Sequence, residues 1–278
     1  MTERAETVLR LAAFAAGLAV LAGVAWLVGR ASGVDVDGTE PGAMAHGAEA
    51  AGVDAGGEAN GLSDTAAGFR FRLDAPVLRA GVASPLTLTL ERGGEPFVDL
   101  EQAQGEPPVH LVLVRRDLAG YVHVHPRRVG ERWTVDVAVP TPGIWRAYAD
   151  FESGGEKVVL GRDLFVPGDF APLPLAAPRV EAAVDGYDVR LSRGDDVTFE
   201  VERDGRPVAL EPYLGAAGHL VAIREDDLAY LHVHPREGAR RGAVAFEAEL
   251  DEAGRYALFL QFKDAGRVHT ATFTAVGS

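Results

Sequence analysis

Six of the eight histidines in this 278-residue chain fall into two sets with one spacing. His110 is followed by His123 and His125, and His219 by His232 and His234, so that 123 − 110 = 232 − 219 = 13. Each set closes on His-x-His-Pro, at Pro126 and Pro235. Neutral imidazole is a good ligand for copper, zinc and nickel. The set therefore reads as metal-ligating chemistry, with copper as the first expectation and zinc behind it. A seventh histidine, His269, falls in a late strand of the second half and is a further candidate ligand. A structural role for the same residues stays open, because a duplication copies structural residues together with functional ones, and buried imidazoles can hydrogen-bond across a sandwich.

The elements that must position these side chains are two copies of one hairpin. VHLVLVRRDLAGYVHVHP runs from Val109 to Pro126 and GHLVAIREDDLAYLHVHP from Gly218 to Pro235. In each, an apolar run opens on a histidine, a charged turn follows, and a second run rich in Val, Tyr and Leu closes the copy, which is the signature of paired strands. Centring the turns places Val112 opposite His123, Val114 opposite Tyr121 and His110 opposite His125. The second copy then has Val221 opposite His232, Ile223 opposite Tyr230 and His219 opposite His234. Side chains on a strand alternate with period two, so the paired histidines share a face and the third meets them across the hairpin. The expectation is three converging imidazoles, hence one metal site, in each copy.

A repeat distance of 219 − 110 = 109 residues is too long for a solenoid and fits two tandem domains. Phe69–Leu73, Pro85–Leu90, Trp133–Val139, Ile144–Phe151 and Lys157–Val166 surround the first hairpin as strand-like segments, with Pro140 to Gly143 marking a break. Val197–Val201, Val244–Leu250, Arg255–Phe262 and Arg267–Val276 surround the second. Many short strands without a helical period predict an all-β protein of two tandem immunoglobulin-like or cupredoxin-like β-sandwiches, at 69–166 and 179–278. Pro-rich 167–178 is read as a stiff connector. Aligning Phe273 with Phe165 sets His269 against Gly161. A turn over Lys263–Gly266 would place His269 opposite Leu260, on an inward face. Tyr121, Tyr230, Trp145 and Phe259 are read as core.

Ahead of the modules, Leu11 to Gly29 carries no charge. As a helix it would be about 28 Å long, close to a hydrocarbon thickness. Residues 1–30 are therefore expected to be a membrane anchor or an export signal. Arg4 and Arg10 on the cytoplasmic flank would leave the modules outside the membrane. Residues 31–68, rich in Gly and Ala with scattered acids, read as a tether. The chain has no cysteine, which removes thiolate metal sites and thiol catalysis, and its formal net charge of −14 argues against nucleic acid. No HExxH, GxSxG, Walker-type loop or dinucleotide fingerprint occurs, so an enzyme is not expected.

The two hairpins, together with Asp204–Val208, Tyr213–Gly215 and Phe262–Phe273, resemble a group of uncharacterised bacterial secreted or membrane-anchored proteins with two HxHP-containing modules, some linked by name to heavy metals. The modules are also similar to cupredoxin-like sandwiches, from which the absence of cysteine sets this chain apart. The convergent histidines and the N-terminal segment together give the expectation of a membrane-tethered, extracytoplasmic, metal-handling protein, with another metal-handling protein as a candidate partner. The competing reading is a non-catalytic cell-envelope interaction protein whose histidines are structural.

Overall fold

The computed structural model describes residues 60–277 apart from 102–105, 195, 232, 237, 239, 249, 251 and 252. The anchor and residues 31–59 of the expected tether, together with His232, lie outside the described residues, while 60–68 belong to the first module: the Gly61 amide donates to the Val159 carbonyl, and Thr65 and Ala66 pair with Arg70 and Phe69. Among the described residues no helix is long and apolar enough to cross a membrane.

The first module contains β1 (Thr65–Ala66), β2 (Phe69–Leu73), β3 (Ser84–Arg92), β4 (Glu95–Pro96), β5 (Val109–Arg115), β6 (Tyr121–Val124), β7 (Arg127–Val129), β8 (Arg132–Val137), β9 (Gly143–Ser153) and β10 (Glu156–Val166). The second contains β11 (Glu181–Val184), β12 (Tyr187–Arg193), β13 (Val197–Arg203), β14 (Arg206–Pro207), β15 (His219–Arg224), β16 (Tyr230–Leu231), β17 (Val233–Arg236), β18 (Ala243–Ala248), β19 (Arg255–Asp264) and β20 (Arg267–Val276). All strands are antiparallel within their sheets. One sheet of the first module runs β1-β2-β3-β8-β7, with β4 on β3, and the other runs β10-β9-β5-β6. The second module repeats both orders as β11-β12-β13-β18-β17, with β14 on β13, and β20-β19-β15-β16.

In both modules alternate residues of the two sheets meet in an apolar core. Phe71, Leu86, Leu88, Leu111, Leu113 and Trp145 are among those of the first, and Phe199, Phe246, Leu220, Leu258 and Phe273 among those of the second. A third apolar layer joins the modules: Val112, Val114 and Tyr148 of the first pack with Val221, Ile223, Tyr230, Ala257 and Phe259 of the second. These residues lie on the faces of β5, β9, β15, β16 and β19 that point away from their own sandwich cores. Every residue of β5 is buried for that reason. A strand covered on both faces gains from apolar residues at every position, which explains the uninterrupted run from Leu111 to Val114.

The inferred pairings Val112 with His123, Val114 with Tyr121 and Ile223 with Tyr230 are all present. Beyond Leu231 the second hairpin departs from the expectation. The chain leaves the four-stranded sheet and continues as β17 beside β18, so His234 lies opposite Glu247 rather than His219. Strands that change sheet in this way close the end of a sandwich. The last hairpin also turns more tightly than expected. Asp264 pairs with Arg267 across Ala265 and Gly266, both at positive φ (48° and 74°), and His269 therefore faces Phe262, not Leu260. The same register makes His269 the counterpart of Val158, which faces Phe151. Phe165 is not the counterpart of Phe273: one is 46% exposed and the other fully buried.

The layer between modules couples them. Phe259, 2% exposed, stacks on Tyr121 at 4.4 Å between ring centres, and Tyr148 donates a hydrogen bond to the Leu228 carbonyl at 2.6 Å. The connector adds to it, since Leu175 packs against the layer and the Leu173 amide donates to Asp117. The two modules should melt in one cooperative transition. Truncating Phe259 to Ala should cost about 3–5 kcal/mol, as for other buried aromatics. Calorimetry checks this, and two separate transitions in the parent would contradict it.

Candidate metal centre

His110 is the second residue of β5 and His123 lies in β6, on the face that β5 and β9 turn toward the second module. His219 opens β15 on the corresponding face of that module. The histidines of the two modules therefore meet in the layer between them. The His110 and His219 rings, which occupy equivalent places in the two hairpins, stack at 5.3 Å and 10°. His123 stacks on His219 at 4.7 Å, and His125 lies edge-on to His110 and His123 at 5.1 and 4.7 Å. One nitrogen from each of His110, His123 and His219 lies within 4.8 Å of the others. Two metal–nitrogen bonds of about 2.0–2.1 Å span at most about 4.2 Å, so the rings must turn, and the 3.1 Å contact between His110 and His123 open, for one ion to take all three.

Hydrogen bonds set the tautomers. His123 Nδ1 stands 2.7 Å from Gln261 Oε1, which can only accept, so Nδ1 carries the proton and Nε2 the lone pair. His110 Nδ1 lies 3.1 Å from that Nε2 and so donates to it, which leaves His110 with its own lone pair on Nε2. Gln261 is anchored in β19 opposite His219 and is itself buried. A buried partner on the far nitrogen is the usual device that orients an imidazole toward a metal. Nε2 of His219 and Nε2 of His125 are buried and have no hydrogen-bond partner. An orphaned buried nitrogen costs about 1–3 kcal/mol. A coordinated cation would remove that cost.

Charge is also excluded. Burial is the main cause that lowers His110 to about 2 and His219 to about 3, with like charge from neighbouring imidazoles and Lys157 adding to it. Burial likewise holds His123 well below its usual range and lowers His125. The cluster is thus a set of neutral imidazoles, the form that ligates. Beside it, Asp150 accepts a hydrogen bond from the Tyr230 hydroxyl at 3.1 Å, and burial raises its carboxyl to about 6.

Among the described residues one group, not two, gathers ligand nitrogens, and it draws on both modules. The rings of the first hairpin's trio, His110, His123 and His125, lie beside one another, but the group of ligand nitrogens takes in His219 and not His125. Of the second trio, His219 joins the first module's histidines, His234 is exposed on β17, and His232 lies outside the described residues. His269 sits elsewhere, inside the second core, with Nδ1 2.7 Å from Asp185 Oδ2 and its ring against Tyr187 and Phe262. Sequence reasoning passed over Gln261 and Asp150. A signal existed: each interrupts an apolar stretch, Tyr256–Phe262 and Ala147–Phe151, at equivalent places just before Phe262 and Phe151.

Repeat, sheets and shared cluster define a class: a tandem β-sandwich protein whose two modules join through a histidine-bearing layer. The chain belongs to the family described as Domain of unknown function (DUF8832), which matches it twice, over residues 64–166 and 180–277. No curated protein matches the chain. Among solved structures it is similar at 15% identity and a TM-score of 0.29 to a Salmonella alpha-2-macroglobulin, over 76% of this chain and 14% of that one. An Escherichia coli alpha-2-macroglobulin activated by porcine elastase gives 16% identity and a TM-score of 0.24, over 76% of this chain and 20% of that one. A DUF4785 family protein from Legionella pneumophila gives 11% identity and a TM-score of 0.24, over 75% and 54%. The chain thus spans well under two thirds of each.

The neutral histidines make stability depend on pH with a definite sign. Their folded-state pKa values lie below the unfolded value of about 6.5, so the contribution is complete above that pH. It is lost as pH falls, because the unfolded chain then binds protons that the folded cluster refuses. Asp150, raised in the folded state, opposes this between about 6 and 4, but it is one group against four. Chemical denaturation of the metal-free protein should show stability falling from pH 7 to pH 4.5. A variant with His110, His123 and His219 changed to glutamine should flatten that dependence.

Proposed function

We propose that this protein binds one transition-metal ion between its modules and serves metal homeostasis or delivery outside the cytoplasm. The observation that carries this reading is the pair of buried, partnerless imidazole nitrogens beside the His110–His123 pair. Copper is the favoured ion and zinc the second. All-imidazole sites suit both, and divalent copper binds a given nitrogen site more tightly. The ligands are His110, His123 and His219, with His125 within reach of the same ion. Tethering by the N-terminal apolar segment, an exchange partner that handles metal, and the absence of catalysis and of nucleic-acid binding belong to the same reading.

A second reading has its own support. The chain of hydrogen bonds from His110 through His123 to Gln261 ties the modules together without an ion. In that case the histidines are architecture for a cell-envelope interaction protein.

Titration of the metal-free, full-length protein, purified in mild detergent without a histidine tag, separates the two. Metal binding predicts saturable uptake of one copper ion per chain. Copper at about a hundred times its dissociation constant adds roughly 2.7 kcal/mol, or about 5–10 °C in the melting temperature. Gln261→Leu should weaken copper by about 10–100-fold while sparing the ligands themselves. Parent protein that takes up no stoichiometric copper or zinc, together with a His219→Ala variant that melts early, would establish the architectural role instead.

A further inference from the structure

Beside the histidine cluster a cavity opens where the modules meet. His110 and His219 line it, together with Pro107 and Pro108 of the first module and Gly218 and Val233 of the second. His110 is 8% exposed and carries its lone pair on Nε2, and His219 has its Nε2 buried without a partner. The charged part of the lining is mostly acidic. Glu101, Glu106, Asp150 and Glu152 supply four carboxyl groups against one amine, Lys157. Glu101 is held in place by the Gly154 amide, and Lys157 faces Glu152 across the β9–β10 pair. Lys157 acts on the histidines as well: its charge contributes to the depression of His110 and of His219.

Resting on the metal reading above, we propose that this cavity is the port by which the cation reaches the cluster. Its glutamates draw the ion in and Lys157 opposes its passage. A buried set of neutral imidazoles exerts no long-range attraction on a cation. The attraction must come from charges at the opening, where clefts lined by one sign of charge concentrate the opposite ion and speed association by about 10–1,000-fold. The Lys157 ammonium works against the field of the four acids, and its proximity to Glu152 places that opposition at the mouth. Glu101, Glu106 and Glu152 thus set the rate of capture, while the histidines set the affinity and the stoichiometry.

The test is stopped-flow mixing of the metal-free full-length protein with copper(II) chloride, followed by quenching of its intrinsic fluorescence. At low ionic strength a Glu106→Gln, Glu152→Gln variant should associate about three- to tenfold more slowly than the parent, still taking up one ion per chain. Lys157→Gln should associate faster by a similar factor, a change of sign that damage to the fold would not produce. Both differences should vanish in about 1 M salt, where the screening length shrinks to about 3 Å. Copper uptake at parental rates in the glutamate variant, or slower uptake in Lys157→Gln, would overturn the port while leaving the metal centre intact. A parent that binds no copper would overturn both.

Discussion

The structure depends on one constraint: two four-stranded sheets must each be covered on both faces. In either module the inner face packs on its own sandwich partner, and the outer face, with Val112, Val114 and Tyr148 on one side and Val221, Ile223 and Phe259 on the other, is too apolar to meet water. Most of the covering surface is the same face of the other module, and Leu175 of the connector adds to it. Burying that layer is worth about 25 cal/mol for each Å² of apolar surface removed from water. The histidines lie at the margin of these faces, so the force that joins the modules also brings the imidazoles into one place.

The junction is close to self-complementary, as a symmetric dimer interface is. Tyr121 donates to Gln261 at 3.4 Å, and its counterpart Tyr230 donates to Asp150, the counterpart of Gln261, at 3.1 Å. Phe259 stacks on Tyr121 and its counterpart Tyr148 meets Tyr230. His110 and His219, again counterparts, stack on each other. The symmetry breaks at Gln261 and Asp150. The amide of Gln261 accepts from His123 without bringing charge, whereas Asp150 supplies a carboxyl beside the cavity. The matched faces provide the mutual fit, and the Gln/Asp difference, opposite His219 in one module and His110 in the other, distinguishes the two halves.

Much of this architecture was legible in the chain. Alternation in Phe69–Leu73 and the turn residues between segments announce strands, because a half-buried strand needs apolar side chains at every second position. The repeat announces two modules, since equal patterns fold equally. Gln261 and Asp150 were harder to see. Each is one polar residue in an apolar run, and its meaning depends on a partner in the other module, His123 for Gln261 and Tyr230 for Asp150, 138 and 80 residues away along the chain. His234 was misplaced for a related reason: where a strand leaves one sheet for another is decided by closure of the sandwich, not by the residues of the hairpin.

The sequence by itself determined the all-β character, the two modules and the pairing of Val112 with His123, because strand periodicity, turn chemistry and hairpin register are local properties. Only the tertiary structure decided that the outer faces of the two sheets lie against each other, that His219 joins His110 and His123, and that His269 belongs to a core. Those outcomes come from burying surfaces that are distant along the chain. An apolar residue in the sequence carries no label saying whether it will face its own module's core or the neighbouring module.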